Sequence, residues 1–403
     1  MRSTIRMFSA AAAVATLVAA PIGAAADVKI GFLGGFTGPI ESLTPPIFES
    51  AQLAAKQVNE QGGLLDGQKI EMPSADTGCV DATMAVNGAD RLVNSEQVVA
   101  IVGALCSGAT IAAANNVAVP AAVTMISPAS TSPALTELAD NDLVFRTPPS
   151  DSYQGEVLAR VLKGKGIDQI AVTYVNNDYG KGLADAVEAA FKAEGGTVAI
   201  KEAHEDGKAD YRPEIGSLAA SGAETLVVLA YVNGSGQTII RQAVEGGDFQ
   251  RFAGGDGMVG PALIQAVGAG KLDGMILTRP GSPEVPGSET YRQLATAAGV
   301  DPDATFGAQG YDAAFLLALA IEKNGSAERE GLNEALREVA TAPGEVILPG
   351  EWEKAKKLIA DGQDINYEGA TGSLEFDDNG DVPGVIEELV IKGEMIDSVG
   401  LVQ

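Results

Sequence analysis

Short, largely apolar segments recur along this chain, and most are followed by a loop and then by a segment with helical spacing. The segments that best fit buried strands are Val98–Val102, Val123–Ile126, Ile170–Tyr174, Leu226–Ala230 and Gly274–Thr278. After the third of these, a helical pattern from Leu183 to Phe191 ends at Gly195 and Gly196. The alternation of strand, loop and helix predicts an α/β fold with parallel sheets covered by helices.

Two proline-rich joints interrupt this alternation. Arg146-Thr-Pro-Pro-Ser150 is one, and Thr278-Arg-Pro-Gly-Ser-Pro-Glu-Val-Pro286 is the other. Both lie between series of strand–helix units, and 403 residues are enough for more than one core. The joints therefore predict two similar lobes, with the chain passing between them.

The N-terminus has the pattern of a cleaved export signal over residues 1–26. Arg2 and Arg6 supply positive charge, Met7 to Ala20 is apolar, and Ala24-Ala25-Ala26 is a small-residue cleavage pattern. The apolar part is too short for a membrane span, and no later segment is long and apolar enough. We expect a mature chain that begins at Asp27 and is free in an oxidising compartment.

The chain carries 54 acidic and 27 basic residues, which gives a formal net charge of −27. Nucleic-acid binding requires basic patches, so this charge argues against it. An anionic ligand would have to be held by local dipoles against the overall field.

Hydroxyl groups follow two of the predicted strands. Ser107 lies in the segment Ile101–Thr110, and Thr131 lies in Met125–Pro133. In a parallel α/β sheet, ligands bind at the carboxyl edge of the strands, where free N–H groups and hydroxyls suit a small anion such as a carboxylate. These two loops predict half of a binding site.

Tyr179, Tyr231 and Asp256 occupy strand-end positions in the second series of strands. Each has a simple structural interpretation, since loop tyrosines often cap a core and Asp before Gly often makes a turn. A carboxylate that faces hydroxyls and helix N-termini also suits a zwitterion, with one group for each end.

Catalytic and cofactor chemistry find little support, and we expect neither an enzyme nor a cofactor. The chain has a single histidine, His204, whose polar neighbours predict a solvent-facing loop, so no base is available for a triad. The glycines between Gly31 and Gly38 do not match a dinucleotide-binding pattern.

No cluster of His and Cys residues has the spacing of metal ligands, but one acidic loop resembles a cation site. Asp377–Asp381 resembles a calcium loop, but Val382 stands where glycine is required. A hairpin turn between Leu374–Phe376 and a following strand is the favoured alternative.

Cys79 and Cys106 are the two cysteines of the chain, and in an exported protein we expect them to pair. A bridge would pin the loop that contains Ser107. The competing interpretation, a catalytic thiol, requires a basic neighbour to activate it.

At these residues the chain resembles the leucine/isoleucine/valine-binding proteins of ABC transporters, which have the type I periplasmic binding fold. The likeness runs from about Val28 to the end. The segments that carry it are Phe36-Thr-Gly-Pro39, Cys106-Ser107, Ser127-Pro-Ala-Ser-Thr131, Asp178-Tyr-Gly-Lys-Gly182 and Gly254-Gly-Asp-Gly257.

The resemblance implies two flavodoxin-like lobes joined by a hinge of three crossovers, the third of them near 372–376. One lobe would comprise residues 27–149 and 279–374. The other would comprise residues 150–278 and 375–403.

The resemblance also implies roles for individual residues. Ser107 and Thr131 would hold the ligand α-carboxylate, and the Ala129 carbonyl, the Thr131 hydroxyl and Asp256 would receive its ammonium group. Tyr179 and Tyr231 would close from the second lobe. Cys79 and Cys106 match the family disulfide.

Three departures from the family pattern concern the pocket and the surface. Leu43 stands where an aromatic residue commonly covers the ligand side chain, and Asp256 replaces a longer Glu. The segment Ala342–Tyr367, which contains Trp352, is an apparent insertion and is expected to form a peripheral helix and loop.

The expected function is a monomeric periplasmic receptor. It would capture a small, branched-chain-like aliphatic amino acid and deliver it to an inner-membrane ABC permease. One alternative is a receptor for a small carboxylate, amide or aromatic acid, and another is a ligand-sensing module.

Overall fold

A computed structural model describes residues 26–402, so the predicted signal lies almost entirely outside the described residues. The strands of this part of the chain are β1 Val28–Gly34, β2 Ile70–Glu71, β3 Ser74–Asp76, β4 Ala100–Gly103, β5 Thr124–Ser127, β6 Val144–Arg146, β7 Gln169–Val175, β8 Thr197–His204, β9 Thr225–Leu229, β10 Arg251–Gly254, β11 Ile276–Pro280, β12 Glu345–Ile347, β13 Ile365–Gly369, β14 Gly372–Ser373, β15 Ile386–Lys392 and β16 Met395–Val402.

Helices connect most of these strands. They are α1 Thr44–Glu60, α2 Ala82–Asp90, α3 Ser107–Ala113, α4 Asp151–Gly164, α5 Asp178–Ala193, α6 Arg212–Ala219, α7 Ser235–Gly246, α8 Pro261–Val267, α9 Pro286–Ala298, α10 Gly307–Asn324, α11 Leu332–Ala340 and α12 Trp352–Ala360. Shorter helical segments lie at Arg91–Ser95, Ala114–Ala118, Pro133–Leu135 and Asp256–Met258.

Two separate sheets confirm the predicted α/β fold. The first is six-stranded and parallel, in the order β2-β1-β4-β5-β6, and β3 also pairs with β1. The second is seven-stranded, in the order β16-β15-β11-β10-β9-β7-β8. Its strands β7 to β11 are parallel, whereas β15 is antiparallel to both β11 and β16.

Each sheet is the centre of a lobe. In the first lobe α1 packs against α10, which returns from late in the chain to cover β4 and β5. Helix α10 is buried almost all round, as expected for an apolar helix that lies beneath others. In the second lobe α4 packs against α5 and contacts β11.

The segment 342–367 differs from the peripheral helix and loop that we expected. It contains helix α12, but strands β12 and β13 flank this helix and form a small third sheet with β14. Trp352 is fully buried, and its indole Nε1 donates to the Gly63 carbonyl at 3.2 Å. The added segment is therefore part of the first lobe's core.

The chain crosses between the lobes three times, at 147–150, 281–285 and 374–385. The hairpin expected near the third crossover does not form, because β15 pairs with β11 and β16 instead. A turn is present, with the Asp377 nitrogen donating to the Asp381 carbonyl at 2.8 Å. The Asp381 carboxylate forms a salt bridge with the buried Arg146, with 2.6 Å between Oδ2 and Nη2. This salt bridge holds the third crossover next to β6.

His204 is buried, and the prediction of a solvent-facing loop is wrong. The residue ends β8, where its Nδ1 lies 2.7 Å from the Thr173 hydroxyl and its Nε2 lies 3.0 Å from the Ser235 hydroxyl. Alternation along the strand turns His204 inward although most of its sequence neighbours are polar.

The two lobes contact each other on both sides of the cleft between them. Near one edge, Asn233 of the second lobe donates its main-chain nitrogen to the Pro39 carbonyl at 3.0 Å and accepts from the Ser42 nitrogen at 3.1 Å. Near the other edge, Ser132 and Asp178 are hydrogen-bonded. The structure therefore has the lobes closed. Among the described helices, none is long and apolar enough to cross a membrane.

Candidate functional site

A cavity lies between the lobes at the carboxyl ends of both sheets. This is the position at which open α/β sheets bind ligands. The residues that line it are Ile40, Leu43, Ile47, Leu105, Cys106, Ser107, Ala129, Tyr179, Tyr231, Asp256, Gly257 and Phe306. Five of the six residues predicted to bind ligand are in this set, and Thr131 is not.

Ser107 marks the first-lobe wall of the cavity. It is the first residue of α3, after a three-residue loop that follows β4, and its hydroxyl oxygen accepts a hydrogen bond from the Ser132 nitrogen at 3.3 Å. The preceding residue, Cys106, is bonded to Cys79, with 5.3 Å between the two Cα atoms. The disulfide thus holds the loop that presents Ser107.

Thr131 lies behind the cavity wall and is fully buried. Its hydroxyl donates to Asp151 Oδ2 at 2.9 Å, and its carbonyl accepts from the Asp151 nitrogen at 2.8 Å. Arg146 Nη1 also donates to the Thr131 carbonyl, at 2.9 Å. The main chain of this loop is therefore fixed from two sides.

Asp256 forms the second-lobe wall together with two tyrosines. Its Oδ1 accepts from Gln154 Nε2 at 2.8 Å and from the Tyr179 hydroxyl at 3.0 Å. The Tyr179 oxygen in turn accepts from the Gly257 nitrogen at 3.1 Å. Tyr231 stacks on Tyr179 with 5.1 Å between ring centroids. The carboxylate is therefore held in a fixed orientation.

Burial dominates the electrostatics of the site. It raises the pKa of Asp256 to about 6 and that of Asp151 well above its usual range. The charge of Asp256 adds to the pKa rise of Asp151, so the two carboxyl groups act on each other. Two neighbouring buried acids need a cation or a proton to offset their repulsion. The site is consequently suited to a positively charged group.

The remaining cavity wall is apolar. Ile40 and Leu43 come from the loop before α1, and Ile47 comes from α1 itself. Leu105 lies in the loop after β4, and Phe306 precedes α10. Of these, only Leu43 was predicted from the sequence to contact the ligand. The others come from distant parts of the chain, and no local pattern distinguishes them from core residues.

Asp151 and Gln154 were also missed. Both lie in the first turn of α4, where an acidic or polar residue is ordinarily explained by the helix N-terminus. Their contacts with Thr131 and Asp256 span 20 and 102 residues of sequence. Within residues 26–402, no group of three His, Cys, Asp or Glu side chains could hold a metal ion.

Comparison with known proteins places this architecture in a family. A family model described as "Periplasmic binding protein" matches residues 27–361. The chain is 31% identical over 355 residues to an "Amino acid binding protein" of Pseudomonas aeruginosa, covering 86% of this chain and 92% of that protein. It is 30% identical to the "Leucine-, isoleucine-, valine-, threonine-, and alanine-binding protein" of the same organism, with 94% of each chain covered.

Solved structures agree in fold. A leucine-binding protein of Thermotoga maritima superposes with a TM-score of 0.79 at 26% identity, covering 93% of this chain and 99% of that one. A branched-chain amino acid transporter substrate-binding protein of Streptococcus pneumoniae, in complex with isoleucine, gives 0.78 at 25% identity with the same coverage. With two lobes closed over a cavity at the strand ends, the chain belongs to the periplasmic binding protein family of the type I fold.

Proposed function

We propose that this protein is the periplasmic receptor of an ABC importer and that it captures a small, branched-chain-like aliphatic amino acid between its lobes. The observation that carries the proposal is the buried Asp256 carboxylate, which is oriented by Tyr179 and Gln154 in a cavity whose remaining wall is mostly aliphatic and aromatic. A buried acid suits an ammonium group, and the apolar wall suits an aliphatic side chain.

The proposed roles divide the ligand into three parts. Ser107 and the Thr131 loop hold the α-carboxylate. The Ala129 carbonyl, the Thr131 hydroxyl and Asp256 receive the ammonium group, while Tyr179 and Tyr231 close over it from the second lobe. Leu43 and its apolar neighbours contact the side chain. Relatives whose names specify leucine, isoleucine and valine support this choice of ligand.

We also propose that residues 1–26 direct export, that the mature chain works as a monomer in the periplasm, and that it delivers its ligand to an inner-membrane permease. The lobes are then residues 27–149 with 279–374, and 150–278 with 375–403. No covalent chemistry is involved. Sequencing the N-terminus of the exported protein tests the cleavage after Ala26.

Direct binding measurements test the ligand class. Purified mature protein, refolded from denaturant to remove bound ligand, is titrated calorimetrically with leucine, isoleucine and valine. The deaminated analogue 4-methylpentanoate, benzoate and a short amide are the comparison ligands. We expect micromolar or tighter binding for at least one of the three amino acids and binding at least a hundredfold weaker for 4-methylpentanoate. Tight binding of a ligand without an ammonium group, and of none with one, would refute the proposal.

A further inference from the structure

Asp151 lies directly behind Thr131, and the two residues hold each other through main chain and side chain. The Thr131 hydroxyl donates to Asp151 Oδ2 at 2.9 Å, while the Asp151 nitrogen donates to the Thr131 carbonyl at 2.8 Å. Thr131 belongs to the first lobe, after β5, and Asp151 begins α4 just beyond the first crossover. This pair of contacts therefore joins the binding loop to the start of the second lobe.

Both side chains have hydrogen-bonding capacity that the described part of the chain does not use. Asp151 is completely buried, and its Oδ1 has no partner within residues 26–402. Over the same residues, nothing donates to the Thr131 hydroxyl oxygen, whose own hydrogen is committed to Asp151. Buried polar atoms are nearly always paired, so this arrangement points to a donor supplied from outside the chain.

Charged groups around Asp151 favour a cationic donor. Asp256 is close enough for its charge to raise the pKa of Asp151, and Arg146 acts in the opposite direction. The Arg146 guanidinium, however, donates to Asp381, to the Thr136 hydroxyl and to main-chain carbonyls. Asp151 and Asp256 are therefore close enough for their charges to interact, and Arg146 donates to neither carboxyl group.

We propose that Asp151 is a positioning residue for the ligand's ammonium group and that it acts through Thr131. The Thr131 hydroxyl donates its hydrogen to Asp151, so only the lone pairs of the Thr131 oxygen remain for the ligand. This oxygen can therefore act only as an acceptor toward the ammonium group. Without Asp151 the hydroxyl hydrogen is free to rotate toward the cation. This inference rests on the proposed function, because it assumes a ligand with an ammonium group.

A double-mutant cycle tests whether Asp151 acts through Thr131. Leucine affinity is measured by calorimetry for the wild type, Asp151→Asn, Thr131→Val and the double variant. Asparagine keeps the volume of Asp151, but its amide can donate to the Thr131 oxygen and so release the hydroxyl hydrogen. We expect Asp151→Asn to weaken leucine binding about tenfold or more, as for loss of a charge-assisted hydrogen bond. In the Thr131→Val background, the same change should alter affinity less than about twofold.

Two further measurements exclude a merely structural effect. For 4-methylpentanoate, which has no ammonium group, Asp151→Asn should leave the affinity within about twofold of the wild type. Thr173→Val is the matched control, since it removes a buried hydroxyl that lies 2.7 Å from His204 Nδ1 and belongs to a strand residue that does not line the cavity. This control should retain wild-type leucine affinity within about threefold.

The outcomes separate the two proposals. The role of Asp151 is refuted, and the proposed function stands, if the wild type binds leucine but Asp151→Asn and Thr131→Val weaken leucine binding independently. The same conclusion follows if Asp151→Asn weakens the binding of 4-methylpentanoate as much as that of leucine. If the wild type binds none of leucine, isoleucine and valine, both proposals are refuted. Thermal unfolding of each ligand-free variant identifies misfolding, and Asp151→Ala replaces Asp151→Asn in the cycle if the latter does not fold.

Discussion

The Ser132 hydroxyl, in the first lobe, donates a hydrogen bond to the main-chain carbonyl of Asp178, in the second lobe, at 2.8 Å. Gly182 lies one turn further along α5 and faces the same loop. A Cβ atom at this glycine would lie 2.8 Å from Pro133 Cδ and 3.0 Å from Ser132 Oγ. The lobes can approach this closely here because residue 182 has no side chain.

Gly182→Ala should therefore weaken ligand binding without destabilising the second lobe. Alanine favours the helix by up to about 1 kcal/mol over glycine, whereas its methyl group obstructs the closed form. We expect leucine affinity to fall about tenfold or more while the ligand-free protein unfolds at an unchanged or higher temperature. Gly216→Ala is the control, because a Cβ in that helix meets no atom within 4 Å. Equal affinities for the two variants would contradict the prediction.

Asp256→Asn should weaken binding of an amino-acid ligand by about 2–4 kcal/mol, because it removes the anionic partner of a buried ammonium group. Calorimetry with leucine measures the effect. Since burial raises the pKa of Asp256 to about 6, wild-type affinity should also fall as the pH drops below 6 and the carboxylate is protonated. The variant should lack most of this fall. A pH dependence identical in both proteins would exclude Asp256 as the group responsible.

His204 should make the protein sensitive to acid. Burial lowers its pKa to about 4, whereas the unfolded chain has the ordinary value of 6.5. Between these two pH values the unfolded state binds the extra proton, so stability is lost as the pH falls from about 6.5 to about 4. The difference corresponds to roughly 3 kcal/mol. Urea unfolding at pH 7 and pH 4.5 should show a smaller loss for His204→Asn than for the wild type.

The disulfide should contribute about 3–4 kcal/mol to the free energy of unfolding, since it joins Cys79 and Cys106, which are 27 positions apart in the sequence. Replacing both cysteines by serine should lower stability by that amount in urea unfolding. Leucine affinity should also fall, because Ser107 follows the bridge directly. A reducing agent should weaken the wild type and leave the serine variant unchanged, which separates loss of the bridge from side effects of the substitutions.

The fold followed closely from the sequence where strands are buried on both faces. Segments such as Leu226–Ala230 are continuous apolar runs, and the observed strand, Thr225–Leu229, differs by one residue at each end. Strands at the edges of the sheets were harder, since β8 and β16 carry many polar and exposed residues. His204 was misassigned for this reason. The alternation of side chains along the edge strand β8 sets its orientation, but its polar sequence neighbours do not show a strand pattern.

The candidate site was predictable where side chains follow strand ends. Ser107, Tyr179 and Asp256 stand at such positions, and parallel strands bring their carboxyl ends to one edge. Asp151 and Gln154 could not be found in this way, since their significance depends on contacts that only the closed packing of the lobes creates. Trp352 posed a similar problem, because nothing local shows that it packs near Phe315.

The packing of α10 on α1 determines when the first lobe can fold. Gly307–Asn324 supplies the partner surface for Thr44–Glu60, and the hydrogen bond from the Tyr311 hydroxyl to Gln57 Oε1 joins residues 254 apart. A ribosome must therefore synthesise more than three quarters of the chain before this core can close. Such long-range contacts slow folding. The nascent chain should accordingly remain open to chaperones until its synthesis is nearly finished.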